Sequence, residues 1–251
     1  MKKLFVLLLC VAGAFSAQAQ EYPVFTVDRP TASAAAAVVG HKVIQLEQGI
    51  QYSGDGGAGT FTFSNTLFRY GLFPNMELRL GGDAFLYQEA GVSKGLKPAF
   101  SGLGLGTKVK CFDGDGAIPA VAVLADLAIP YTASKGFNAD HLAPSLYLLF
   151  DNPVNDWFSI GYNIGAEWDG TLPQPTAFAA LCLGFNATES LGCFVESYNY
   201  FGSLDNMYAM AFGLSWKAGR KVMLDLAANM DLMNPAQCWS VCCGVAWQIN
   251  R

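Results

Sequence analysis

The stretch NTLFRYGLFPNMELRLGG, residues 65–82, decides how the chain is read. It sets Arg69, Glu77 and Arg79 inside segments whose alternation is that of β-strands, joined across the compact connection GLFPN. In a soluble sandwich these charges would face water. In a membrane they must face something other than lipid. Glu77 and Arg79 alternate with Leu78 and Leu80, Asp83 follows at the same parity, and Gly81 leaves room between them. An arginine on the lipid face near the bilayer midplane costs about 2–4 kcal/mol. The charges are therefore expected inside a barrel and the leucines outside it. Arg69 stays open: if Asn65 and Arg69 point inward, Phe68 and Tyr70 form an aromatic girdle. Phe61 and Phe63 would then also point inward unless a bulge resets the phase.

The composition points the same way. Charged residues make up 14% of the chain, against about 25% in ordinary soluble domains, and hydrophobic residues 52%. Beyond the first twenty residues no run of ~18 apolar residues exists to form a spanning helix. The longest candidate, AIPAVAVLADLAIP, is broken by Pro119, Asp126 and Pro130. The basic start MKK, the short apolar run LFVLLLCVAGAF and the small-x-small AQA at 17–19 are read as a signal peptide over 1–19, with the mature chain beginning near Gln20. Leu9 before Cys10 argues against a lipoprotein signal, which wants a small residue there. A net charge of −5 argues against a nucleic-acid partner.

Residues 20–41 lack strand alternation and carry a run of small residues, so they are expected to lie in the periplasm or the lumen. From Lys42 the period becomes two, and the barrel is assigned to 42–251. Twelve strands are expected: 42–52, 59–70, 76–87, 99–112, 117–130, 142–150, 157–168, 175–186, 191–201, 207–216, 222–232 and 238–249. Most reach the nine to eleven residues, roughly, that a membrane-crossing strand needs. Compact connections such as DNPVND, ATES and KAGRK alternate with longer ones such as QEAGVSKGLKP and YTASKGFNAD. That rhythm belongs to an all-β, up-and-down antiparallel transmembrane barrel with short periplasmic turns.

The faces agree. In MYAMAFGLSW, Tyr208, Met210, Phe212, Leu214 and Trp216 alternate with Ala209, Ala211, Gly213 and Ser215. Bulky residues on one face and small or polar ones on the other suit a tight polar interior and a lipid-facing exterior. The same parity marks a candidate lumen network: Glu47, Glu77, Arg79, Asp83, Lys108, Lys110, Asp126, Glu167, Glu196 and Asp225. Arg79 is expected to pair with Glu47, with Glu77 or with carboxylates of more distant strands. Mixed charges in a narrow interior fit a charge-lined pore or a plug that closes it, and twelve strands lie between filled and open barrels.

Little chemistry competes with this reading. His41 precedes the first strand, and His141 lies beside Asp140 at the expected outer rim, with Ser145 on the next strand. A rim hydrolase built on His141 is the weakest alternative, since a solvated loop histidine accounts for it. GDGGAG lacks the alternating ligands and closing glutamate of a calcium loop. No CxxC with a matching histidine pair occurs, so no metal, cofactor or catalytic residue is assigned. The six cysteines after the signal, Cys111, Cys182, Cys193, Cys238, Cys242 and Cys243, permit disulfides but sit mostly in apolar runs.

NTLFRYGLFPNMELRLG, the earlier DRP at 28–30, SGLGLGTKVK and IPAVAVLADLAIP together resemble the phenol-degradation meta-pathway family of outer-membrane proteins, whose members are often called simply transporters. The match in order covers Asp28 to Pro130. One departure is the end WQINR, where many bacterial barrels close on an aromatic residue. The resemblance implies a barrel in the outer membrane of a Gram-negative bacterium, with outer-membrane lipid and a small solute as its partners. By the family's name it also implies passage of small hydrophobic or aromatic compounds, while the poor catalytic inventory of the residues leads to the expectation of no enzyme activity. A closed barrel with a structural or surface-interaction role is the alternative.

Overall fold

Segments that alternate bulky and small residues bury one face and present the other, and a sheet built only of such segments must close to satisfy its edges. In the computed structural model, which describes residues 25–55, 58–88, 95–202 and 206–249, this is what they do. The strands are β1 (Ile44–Asp55), β2 (Ala58–Phe73), β3 (Met76–Gln88), β4 (Leu96–Phe100), β5 (Gly104–Phe112), β6 (Ala120–Ala128) and β7 (Ala143–Asn155). They continue with β8 (Phe158–Glu167), β9 (Thr176–Asn186), β10 (Leu191–Phe201), β11 (Asn206–Lys217), β12 (Val222–Asp231) and β13 (Trp239–Gln248). Residues 1–19, read as a signal peptide, lie outside the described residues.

Apart from β4 and β5, which both pair with β3, chain neighbours are sheet neighbours, all antiparallel, and β1 pairs with β13 to close the barrel. The thirteen segments make twelve staves, because β4 and β5 are two parts of one. β3 pairs with β5 over Met76–Gly81 and with β4 over Ala84–Gln88. The strand expected over 99–112 is interrupted at 101–103, where Gly102 takes a φ of 96° that a side chain would resist. The break stays knitted: Ser101 N–H donates to the Asp83 carbonyl and Leu103 N–H to Thr132 Oγ1. The free edge of β4 is covered by the β6–β7 loop, where Phe100 N–H donates to Ser134 Oγ and Ser134 N–H to the Phe100 carbonyl.

The two faces separate as the alternation requires. Leu78 and Leu80 are each 41% exposed, whereas Glu77 before them and Arg79 between them are buried. Leu105, Leu146, Leu148, Phe212, Leu214, Trp216, Leu226 and Trp247 are also exposed, an apolar belt that suits lipid and not water. A bulge between Thr62 and Ser64 settles the phase of β2. Arg69 is fully buried, while Phe61 and Phe63 face outward at 36% and 45% exposure. Among the described residues Cys111, Cys182, Cys193, Cys242 and Cys243 form no disulfide.

Residues 26–40 run through the interior. Their backbone reaches side chains of β1, β3, β7, β8 and β10, which together go round the barrel. Ala36 packs on Ala122, Leu124 and Leu149. The segment then turns into β1, with Lys42 N–H donating to the Gly71 carbonyl and Val43 N–H to the Gly40 carbonyl. Gly71 has to be bare, because a Cβ there would overlap the Gly40 carbonyl. Gly71→Val is therefore expected to lower the stability of the detergent-folded barrel by about 1–3 kcal/mol through overpacking. Urea unfolding followed by the loss of heat-modifiable gel migration measures it.

Candidate functional site

Four neighbouring staves, β1, β2, β3 and β5, bring the charges together. Register sets Arg69 directly opposite Arg79, and Glu77 opposite Lys108. Two guanidinium groups facing each other repel, so the arrangement depends on the carboxylates between them. Glu77 takes Arg69 side-on, with Nε to Oε1 at 2.8 Å and Nη2 to Oε2 at 2.8 Å, and also accepts from Arg79 Nη1 at 3.0 Å. Glu47 accepts from Arg69 Nη1 at 2.7 Å and from Gln45 Nε2 at 2.9 Å. The wall thus contributes three cations and two carboxylates.

The third carboxylate comes from the N-terminal segment. Asp28 accepts from Lys108 Nζ at 2.9 Å on each oxygen and from Arg79 Nη1, and lies 3.7 Å from Arg69 Nη1. Three positive and three negative side chains then form one buried cluster, which is how ionised groups tolerate removal from water. Burial alone would raise the Asp28 carboxyl. Arg69, Lys108 and Arg79 outweigh it and hold the group well below the usual carboxylate range.

The rest of the segment is held by its backbone. Glu47 accepts from the N–H groups of Asp28 and Arg29, each at 3.2 Å. Glu196 accepts from Ala32 and Ser33 N–H, each at 2.8 Å, and from the Ser33 hydroxyl. Asn163 accepts from Ala34 N–H at 2.7 Å and donates back to its carbonyl at 3.1 Å. Asp151 takes Ala36 N–H and Glu77 takes Val39 N–H, both at 2.7 Å. Lys108 Nζ donates to the Ala35 carbonyl at 2.8 Å. The Arg29 side chain crosses the lumen to Asn65 and to Asp225, the latter at 3.2 Å. Gly49 and Gly244 leave the space its guanidinium fills.

Of the residues expected in the network, Glu47, Glu77, Arg79 and Lys108 meet in the cluster, and Glu196 and Asp225 hold the segment. Arg79 pairs with Glu77 and not with Glu47, which Arg69 occupies. Asp126 stands at the edge, 3.7 Å from Arg79 Nε. Asp83 accepts from Asn65 Nδ2 at 2.8 Å and Glu167 from the Tyr147 hydroxyl at 2.6 Å. Lys110 does not join. It lies next to the bulge that ends β5, and its ammonium pairs with Asp113 three residues on, at the turn. Asp28, Arg29, Asp151 and Asn163 were not singled out as site residues, and Arg69 had no assigned side. Asp28 entered the sequence reading only within DRP at 28–30, as part of the family resemblance. His141 is exposed, and among the described residues no hydrogen bond joins it to Ser145.

Beyond the segment, toward the long loops, lies a cavity of about 600 Å3. Arg29 to Ala34 form its floor; Asp83, Asp126, Tyr147, Phe178, Tyr198, Tyr200 and Met207 are among its walls. The interior as a whole is acidic. Glu47, Glu77, Asp83, Asp126, Asp151, Glu167, Glu196, Asp225 and Asp28 face Arg29, Arg69, Arg79 and Lys108.

A closed antiparallel barrel, apolar outside and filled with ionised side chains inside, defines an outer-membrane β-barrel. The chain belongs to the family described as "Putative MetA-pathway of phenol degradation", whose model matches residues 27–236. In fold it is similar to an outer membrane channel from Pseudomonas putida F1, with a TM-score of 0.63 at 10% identity, covering 84% of this chain and 97% of that one. The KdgM porin solved in complex with disordered oligogalacturonate gives a TM-score of 0.55 at 8% identity, covering 82% and 99%. No curated protein matches in sequence.

Arg69→Leu removes the only ion partner of Glu47 in the cluster, leaves two cations against three carboxylates in a dry site, and is expected to destabilise the barrel by about 3–5 kcal/mol. Adding Glu47→Gln, which restores two cations against two carboxylates, should recover part of that loss in the same unfolding measurement. The pH dependence follows from Asp28. Its folded-state pKa is depressed, so its contribution is complete above the unfolded value of about 3.9 and declines as pH falls below it. The stability difference between wild type and Asp28→Asn should therefore be flat from neutral pH to about 5 and shrink below about 4.

Proposed function

We propose that the protein is an outer-membrane channel for small solutes whose own N-terminal segment closes the periplasmic half of the lumen and must be displaced for passage. The observation that carries this is Asp28, the one carboxylate of the central cluster that does not come from the barrel wall. A segment that completes a charge cluster only when seated is a natural bolt. Its grip is ionic and backbone-directed, so water entering the lumen can replace each bond without unfolding a strand. The family and the channel-like folds it resembles support the solute-conducting reading. The aromatic wall of the cavity and the family's description support hydrophobic or aromatic solutes, and the charge-lined lumen supports a polar path beside them.

A permanently closed barrel is the second reading, favoured by the completeness of the bonding from Asp28 to Val39. Planar-bilayer recordings separate the two. Asp28→Asn removes the charge at nearly constant volume and weakens charge-assisted hydrogen bonds of about 1.5–3 kcal/mol, so the open fraction should rise about ten- to a hundredfold. A folded Asp28→Asn barrel with conductance no greater than wild type would sink the bolt and leave the closed barrel.

A further inference from the structure

The cavity beyond the segment has two unlike walls. β3 and β10 are six staves apart in a twelve-stave barrel, so they face each other across the lumen. On the β3 side stand Asp83 and, two staves on, Asp126. From Tyr147 on β7, the stave next to that of Asp126, four rings form one surface that runs round to Tyr198 and Tyr200 on β10, opposite Asp83. Tyr147 and Phe178 meet edge to face at 5.7 Å between centroids, Phe178 and Tyr200 at 5.0 Å, and Tyr200 and Tyr198 at 6.4 Å. Both walls lie toward the long loops, since Tyr200 is next to last in β10 and Met207 is second in β11.

The acidic wall has bonding capacity left over. The Asp126 carboxylate, its side chain 34% exposed, accepts no hydrogen bond among the described residues, and its sole ion partner is Arg79 at 3.7 Å. Arg79 is nine-tenths buried, and its Nε, the atom turned toward Asp126, has no hydrogen-bond partner among the described residues. The guanidinium's bonds go instead to Asp28 and Glu77. Arg29, the other cation lining the cavity, is taken by Asn65 and Asp225. A seated segment thus leaves a vestibule with unspent negative charge on one side and aromatic faces on the other. Ring faces attract cations through their quadrupole, more strongly where water is thinned. Enclosing low-dielectric walls focus the field of the carboxylates into the same space.

We infer that the vestibule is a binding site for a small organic ammonium, its charged head at Asp83 and Asp126 and its apolar body on Tyr198, Tyr200 and Phe178. This goes beyond channel function: the site is complete with the segment in place, so binding is measurable without transport. Isothermal titration of the intact protein in detergent tests it with three probes that share a phenylethyl body, 2-phenylethylammonium, 2-phenylethanol and 3-phenylpropanoate. The ammonium should bind about tenfold or more tightly than the alcohol, a difference that desolvated charge and cation–π contacts supply. The carboxylate should bind more weakly than either. Asp83→Asn with Asp126→Asn keeps the shape and the Asn65 contact, and should abolish the preference for the ammonium while leaving the alcohol bound. Tyr198→Leu with Tyr200→Leu should weaken both. Heat-modifiable migration confirms that each variant is folded. The inference fails if the carboxylate binds as tightly as the ammonium, if the preference survives the double asparagine variant, or if no probe binds at millimolar concentration. None of these results bears on whether Asp28→Asn opens the pore.

Discussion

Asp28 between Lys108, Arg79 and Arg69 is the contact on which the rest of the interior depends. Without it the wall holds three buried cations against Glu47 and Glu77, and the directly opposed Arg69 and Arg79 have one shared carboxylate between them. With it the cluster is neutral and each group has hydrogen bonds as well as opposite charge. The strength of such a cluster lies in its completeness, since removing one partner leaves an uncompensated charge in a dry site. That the completing group sits outside the barrel strands ties the charge state of the lumen to the position of the segment.

The same logic explains the composition of that segment. Beyond Asp28, Arg29 and Ser33, whose side chains bond the wall, side chains of the barrel read the segment's main chain, and the residues that follow are mostly small. Ala36 is fully buried against Ala122, Leu124 and Leu149, with Ala34 packed beside them, where a larger side chain at 36 would push its backbone N–H out of reach of Asp151. The barrel answers with bare positions of its own: Gly49 and Gly244 around the Arg29 guanidinium, Gly71 against Gly40. Fit here is reciprocal between a polar wall and an alanine-rich chain, the reverse of a packed apolar core.

Filling only part of the lumen makes the interior asymmetric. The half toward the short turns is saturated with bonds, and the half toward the long loops keeps a cavity with acids on one side and rings on the other. A barrel in which the closing element and the vestibule share a floor, residues 29–34, couples whatever enters from outside to the element that would have to move.

Much of this was legible in the sequence, because a strand's side-chain period of two carries over directly to inside and outside. The parity of Glu77 and Arg79 against Leu78 and Leu80 was enough to put the charges in the lumen and the leucines in lipid. Segment lengths and the rhythm of connections were enough for twelve staves, with β4 and β5 hidden as one because the break at Gly102 leaves parity almost untouched. Arg69 was not legible: a single bulge between Thr62 and Ser64 reverses the phase of half a strand, and bulges leave no reliable mark in composition. Lys110 shares the parity of Lys108 yet pairs with Asp113 at the turn, since parity says which face a residue takes but not whether it still lies within the barrel. Asp28 and its seating were decided by tertiary structure alone. Alternation describes strands, and a chain without periodicity has no face to read. Where residues 26–40 would lie depended on the charge that four neighbouring staves bring together in one place.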